Sequence, residues 1–527
     1  MNFDLNQLLM RVARRAENAT DIVLHQTFVP IPSLVSQLDT SEHQVLFGRR
    51  GTGKTHLLRH LQHEQESRGS LAVYLDLRRI GSPDDISCAD RGDFAEKATD
   101  LLVDVLETIH ESIYEQVLSD RWAHQLTELS AGLDSLATAA TQVRIVGDTE
   151  IELQRESSAQ VGTSSGGQLS LGRSASVSMS SHRRRERGRK SAERRVDRGR
   201  TRHQLLLGPL SNAIRRIGEA IAPHQLWLLI DEWSALPRDL QPLMADLLRR
   251  TFFAAGGVVV KISAIHGRSL FNNAKTDAPF VGLELGADTS ATLDLDDFLL
   301  FRNDVGSTVD FYSAMLFQHL SATARTTSGP VTLPGGIHTA PALTRSLFAT
   351  PSSFHNLILG AEGVPRDALQ IAGLAAGTAH DAPITTTSVA LATRNFFLRD
   401  KEDSIPQGAP RRVFTNLVDQ CARQRSRLIP LRRHGESDED VIQRLYDARL
   451  IHRVRQGVSI DAQQPFETYD VYVIDYGCFL GLLHSGRIHS VQDALDPGAR
   501  FADLDEIEIR SRTFIAKPRG WYRQTVR

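Results

Sequence analysis

Three glycines, Gly48, Gly51 and Gly53, punctuate a run whose other members are Arg49, Arg50, Thr52, Lys54 and Thr55, with His56 next. That spacing lets the backbone fold tightly around an anion, so that successive N–H groups point at phosphate oxygens. Val45–Phe47, just before it, reads as a short strand. The segment after Gly53, KTHLLRHLQHEQES, carries apolar residues on a helical period. A loop that opens a helix adds the partial positive charge of the helix N-terminus to the attraction. Lys54 is expected to reach the β- and γ-phosphates of ATP, and the Thr55 hydroxyl to take one position on Mg2+. The residues expected to bind the nucleotide are therefore Gly48, Arg49, Arg50, Gly51, Thr52, Gly53, Lys54, Thr55 and His56.

A second chemical group lies far along the chain. LWLLIDEW places Asp231 at the end of an apolar run that reads as a buried strand, where parallel sheets put their sites. An acid there holds the metal, so Thr55 and Asp231 form the expected Mg2+ position. Glu232, next to it, is expected to orient and deprotonate the attacking water, which points to hydrolysis and not only binding.

The elements that must position these groups alternate. Leu71–Leu77 (LAVYLDL) is rich in strand formers, and residues 93–118 repeat apolar positions every three or four residues. Residues 203–222 read as helix, 238–254 as another, and Val258–Ile265 (VVVKISAI) as a further strand. ATLDLDDFLLF from Ala291 reads as a last strand running into a helix. Strand alternating with helix predicts an α/β domain: a parallel sheet with helices on both faces.

GRRGTGKT, LLIDE, the polar-ended VVVKISAI strand and GVPRDAL at 363–369 come in the order of AAA+ ATPases. The chain most resembles their origin-recognition and initiator branch, as found in bacterial homologues, over roughly 28–400. The resemblance implies an additional-strand P-loop NTPase, with LAVYLDL as the extra strand between the two motifs. It also implies a γ-phosphate sensor at Ser263 or His266, with Ser263 the catalytic candidate, and a second sensor at Arg366 in a helical lid. Catalytic residues would then be Glu232, Lys54, Arg366 and Ser263. Arg249, Arg250 and Arg268 lie where an arginine finger is sought, without a choice among them. STAND-type signalling ATPases share much of this layout.

At 527 residues the chain is too long for one core. A hydrophobic fraction of 41%, with 24% charged and a net charge of −2, is that of a globular protein. No run approaches the roughly 18–20 apolar residues of a membrane span. The N-terminal stretch, broken by Asp4, Asn6, Arg11, Arg14 and Arg15, reads as an amphipathic helix rather than an export signal. Cys88, Cys421 and Cys478 lack metal-ligand spacing and suit a reducing cytoplasm.

The expected divisions are an N-terminal helix at 1–27, the ATPase base at 28–321, a linker at 322–340, a helical lid at 341–405, a winged-helix-like domain at 406–484 and an extension at 485–527. The base carries an insertion at about 141–202. Within it QVRIVGDTEIELQ alternates around a Gly-Asp turn like a hairpin, and a Ser/Gly-rich stretch follows. Eleven Lys/Arg against three acids then fall between Arg183 and Arg202. Such a basic arm can hold phosphate backbones of DNA without sequence choice, be a solvated face, or meet an acidic surface. It has no interleaved aromatic for base stacking. From 411 the order helix, strand, helix and two wing strands outlines a winged helix, whose second helix normally enters the major groove. Here that helix opens with three acids, including Glu439, which leaves protein contact open.

Two functions follow. One is an ATP-driven switch or motor that acts on DNA or a DNA-bound assembly, with a homo-oligomer possible. The other is a signalling ATPase of a bacterial conflict or antiphage system that acts through protein partners.

Overall fold

The computed structural model describes residues 2–14, 20–80, 94–141, 143–146, 149–153, 193–197, 200–203, 206–273, 279–290, 292–299, 305–328, 333, 336–405, 407–424, 427–432, 439–459 and 468–486. The chain divides into two compact units, residues 1–140 with 206–527, and residues 141–205.

In the larger unit, α1 (Asn2–Arg11), α2 (Asp21–Thr27) and α3 (Pro32–Leu38) precede the first strand. The stretch expected as one N-terminal helix is thus two, and Thr20 starts the second by accepting a hydrogen bond from the Val23 N–H. Strand β1 (Gln44–Phe47) runs into the glycine loop and α4 (Lys54–Ser67). Then come β2 (Leu71–Asp76), α5 (Phe94–Val117) and α6 (Leu126–Ala140).

The smaller unit holds β3 (Val143–Val146), β4 (Thr149–Leu153), β5 (Glu193–Asp197) and β6 (Arg200–His203). Strand β3 pairs antiparallel with β6 and β4 with β5. The expected hairpin between Val143 and Leu153 is therefore not formed; each of its strands takes a partner beyond the Ser/Gly-rich stretch. Alternation marks a strand but does not name its neighbour. Of the basic arm, residues 183–192 and 198–199 lie outside the described residues.

The larger unit resumes with α7 (Leu207–Ala220), β7 (Leu226–Asp231), α8 (Gln241–Leu248), β8 (Val258–Ala264), β9 (Leu293–Asp294) and α9 (Leu295–Leu299). Its sheet is all parallel, in the order β2-β7-β8-β1-β9. Every residue of β7 and β8 is buried. Trp227, Leu229 and Val259 pack with Leu57, Leu58 and Leu61 of α4 on one face, while the alternate residues Leu228, Ile230 and Val260 are buried on the other. Such a sheet needs helices on both sides. This is the α/β P-loop NTPase fold. The strand that separates β1 from β7 in space is β8; LAVYLDL (β2) lies at the sheet edge, although it comes between the two motifs in sequence.

Helix α10 (Val305–Ser328) continues into the expected linker, followed by α11 (Ala340–Leu347), α12 (Pro351–Ala361), α13 (Pro365–Ala379) and α14 (Thr386–Phe396). Threonine caps, Thr339, Thr350 and Thr385, start three of them. The chain continues with α15 (Ala409–Gln424), β10 (Leu428–Arg432), α16 (Glu439–Asp447), β11 (Ile451–Ser459), β12 (Thr468–Ile474) and α17 (Tyr476–His484). The three strands form an antiparallel sheet in the order β10-β12-β11. A single apolar cluster joins α1, α10–α17 and this sheet. The extension from residue 487 lies outside the described residues. Among those described, no helix is long and apolar enough to cross a membrane.

Candidate active site

The glycine loop joins β1 to α4. Gly51 has φ +89°, and a Cβ there would meet Arg366 Nε at 2.9 Å and Val364 Cγ1 at 3.1 Å, so no side chain fits. Lys54 curls into the loop and is buried. Its ammonium donates to the carbonyls of Gly48 (2.8 Å) and Arg49 (3.1 Å). Burial lowers its pKa, opposed by the carboxylates of Glu232 and Asp231.

Asp231 ends β7 with no exposed surface. Its Oδ2 accepts from the Thr55 hydroxyl at 2.6 Å and from Tyr74 on β2 at 2.7 Å. Its Oδ1 accepts from the Ser263 hydroxyl on β8 and from the Glu232 N–H at 2.9 Å. The carboxylate thus ties β2, β7, β8 and α4 together at the C-terminal end of the sheet, where open α/β sheets bind ligands. Paired Thr and Asp oxygens are donors of the kind a hard cation takes, so the pair fits Mg2+.

Glu232 turns out of β7 in the left-handed conformation (φ 59°, ψ 41°), a strained setting for a residue with a side chain. Its carboxylate lies 3.9 Å from Arg78 Nη1. Burial first, and then the charge of Asp231, hold its pKa above the usual carboxylate range. Lys54, Arg78 and Arg50 oppose the shift.

Gly51, Lys54, Thr55, Arg78 and Glu232 border a cavity of about 1430 Å3, while Asp231 and Tyr74 are not on its wall. Its lining includes the apolar Leu24, Phe28 and Ile31 near α2 and Met315 on α10, and the cationic Arg50, Lys54, Arg78, Arg268 and Arg366. Apolar and cationic groups together suit a base joined to phosphates. Thr52, Gly53, Thr55 and His56 line it too. His56 packs edge-on to Phe28 and contacts the Leu24 carbonyl, and burial lowers its pKa.

Other expected residues are placed elsewhere. Arg49 turns its side chain away from the cavity and is 1% exposed. Its Nε pairs with Asp296 Oδ1 at 2.9 Å, its Nη2 donates to the Glu362 carbonyl at 2.8 Å, and its Nη1 meets His452 on β11. Gly48 and Ser263 are likewise absent from the cavity wall. His266 stacks on Phe47 at 3.9 Å and pairs with Asp294 at 3.0 Å. Arg366 lies in the first turn of α13, its N–H donating to the Gly51 carbonyl at 3.2 Å. Arg249 and Arg250 both pair with Asp246. Of the three finger candidates only Arg268 lines the cavity, held by Asp447 at 2.9 Å.

The motifs gave no notice of Tyr74, Arg78, Asp296 or Asp367. The basic pair directly after LAVYLDL was the one local sign of Arg78. Helix α16 carries a further surprise. Its Gln443 donates to the His266 carbonyl (3.2 Å) and Tyr446 to Asp296 Oδ2 (2.9 Å), so it is docked on the ATPase base.

Residues 12–75, which hold β1, the glycine loop, α4 and most of β2, match the family model described as ORC-CDC6-like. Over this segment alone the chain is similar to that family. The order of its motifs and the parallel sheet it opens are those of a P-loop NTPase. Among solved structures, Cdc6p from Pyrobaculum aerophilum is 13% identical with a TM-score of 0.31, over 89% of this chain and 99% of that one. Drosophila ORC bound to DNA is 11% identical at 0.29, covering 88% and 92%. The Aeropyrum pernix ORC1 protein in complex with DNA is 12% identical at 0.29, covering 89% and 97%. No curated protein matches. The ORC-CDC6-like segment supplies the loop, Lys54 and Thr55; Asp231, Glu232 and Arg366 reach the site from outside it.

Proposed function

We propose that the chain binds and hydrolyses ATP in this cavity and uses the cycle to act on DNA or a DNA-bound assembly. The observation that carries the hydrolysis reading is the hydrogen bond from Thr55 to Asp231, with Glu232 as the next residue, half-exposed to the cavity. The loop N–H groups and Lys54 bind the phosphates. Thr55 and Asp231 hold Mg2+, which when bound neutralises charge on the β- and γ-phosphates. Glu232 accepts a proton from the attacking water, and Lys54 and Arg78 oppose the rise of its pKa. Ser263 acts through Asp231 and fixes its carboxylate. Arg366, on the helical lid formed by α11–α14, senses the bound phosphates and couples lid angle to nucleotide state.

The eleven cations between Arg183 and Arg202 and the ORC-CDC6-like segment favour DNA as the partner. The C-terminal elements α15 to β12 are taken as a winged-helix-like module. One observation favours the second reading, a signalling ATPase with protein partners: α16, the helix that would enter a groove, is packed on the base.

The test is steady-state ATP hydrolysis with and without duplex DNA, at low and moderate salt. Stimulation by DNA that fades with salt, and that is lost when Arg183, Arg184, Arg185, Arg187, Arg189 and Lys190 are replaced by Gln, is expected. Turnover unchanged by DNA would move the reading to a protein partner; no turnover at all would overturn hydrolysis.

A further inference from the structure

Among the described residues, four that are not glycine have positive φ: Glu232, Glu362, His380 and Arg449. The first two border the loop just described. Arg449 (φ 60°) closes α16, with its own N–H on the Tyr446 carbonyl (2.9 Å) and the Leu450 N–H on the Leu445 carbonyl (3.0 Å). That pair of bonds is the helix ending whose left-handed residue is most often glycine. A side chain there is strained, and strain of this kind concentrates where a side chain has work to do.

The side chain enters the nucleotide cavity. Its guanidinium is paired with Asp367, the neighbour of Arg366. Asp367 is buried, and the Lys401 ammonium 3.3 Å away is shared with Asp475, to which it donates at 2.6 Å. Two residues before Arg449, Asp447 holds Arg268 at 2.9 Å. Arg268 and Arg449 both press on Arg50, whose pKa burial and these two cations lower against Glu232 and Asp447. Cations that converge in this way call for an anion between them.

We infer that Arg449, from the C-terminal segment, binds the phosphate end of the nucleotide in the same chain, together with the loop and Arg366. This rests on the ATP reading above. The nucleotide then adds to the contacts of Gln443, Tyr446 and Asp447 that hold α16 against the base.

The test is titration of the full chain with a fluorescent ATP analogue and Mg2+, beside thermal unfolding without nucleotide. Arg449→Gly accepts the left-handed backbone but takes the cation from buried Asp367, so its unfolding midpoint is expected to fall, and binding is measured well below the lower midpoint. Its affinity is expected to fall roughly ten- to hundredfold, the range of one charged hydrogen bond. Arg449→Lys, which keeps a cation, is expected to lie between the two. Parent-like affinity in Arg449→Gly overturns the inference. So does a fall in affinity that tracks a lowered midpoint and that Lys does not restore. Failure of the parent protein to bind, or binding by Lys54→Ala equal to the parent, removes the ATP reading and this inference together.

Discussion

Arg49, inside the phosphate loop, donates from Nη2 to the carbonyl of Glu362 at 2.8 Å, so the loop is bonded directly to the end of α12. The same guanidinium holds Asp296 at 2.9 Å. Removing it leaves a buried carboxylate without its cation. Arg49→Ala is expected to destabilise the fold by about 3–5 kcal/mol, the usual cost of breaking a buried pair. Urea denaturation measures it; a loss under about 1 kcal/mol would mean that water or Tyr446 replaces the arginine.

Two substitutions separate binding from chemistry. Lys54→Ala is expected to abolish measurable ATP binding. Glu232→Gln is expected to bind ATP as the parent does and to lower turnover by about 10²–10⁴-fold. Hydrolysis that survives in Glu232→Gln would remove this residue from the mechanism.

The Glu232 carboxyl is held above its ordinary range by burial and by Asp231. A general base works ionised, so turnover should fall as pH drops through that raised value. The acid limb of the rate profile is therefore expected at higher pH than a free glutamate would give. Arg78 favours the ionised form. Arg78→Ala is expected to move the limb to still higher pH, and a limb that stays in place would detach Arg78 from Glu232.

Thr55 and Asp231 supply the oxygen pair assigned to the metal. Chelation of Mg2+ by EDTA is expected to stop turnover in the parent protein, and Asp231→Asn to raise the Mg2+ concentration for half-maximal rate at least tenfold. An unchanged Mg2+ dependence would place the metal on other ligands. Because Asp231 also accepts from Tyr74 and Ser263, the thermal midpoint of this variant is measured alongside.

Gly51 stands against Arg366 and Val364 with no room for a methyl group. Gly51→Ala is expected to weaken ATP binding by at least tenfold, since the left-handed backbone and the crowded lid oppose it together. Parent-like binding would show that α13 yields freely.

The loop, Asp231 and Glu232 were legible because each is encoded in one short run: glycines beside Lys54, and an apolar strand that ends in acids. The parallel sheet followed from the alternation of strand and helix. Arg49 was not legible in its actual place. Its partners stand at 296, 362 and 452, and nothing local to GRRGTGKT distinguishes an arginine that faces phosphate from one that faces the protein. The strand order was hidden for a like reason, since chain order puts LAVYLDL between the motifs while the sheet puts β8 there. Helix α10 outran its expected end, since it runs through the Thr- and Ser-rich residues to Ser328, where Thr323 and Thr326 satisfy their hydroxyls on the His319 and Ala322 carbonyls.

Val143 stands opposite His203 at the foot of the smaller unit. Opposed residues of an antiparallel pair lie only about 5 Å apart, so the segment departs and returns through one doorway. Helices α6 and α7, which flank the segment in sequence, pack along each other. The segment is therefore a cassette in the engineering sense. It can be lifted out and its stumps closed by a tight turn, or grafted onto an unrelated scaffold at a hairpin tip, so that whatever the basic run recognises can be sought with no ATPase attached.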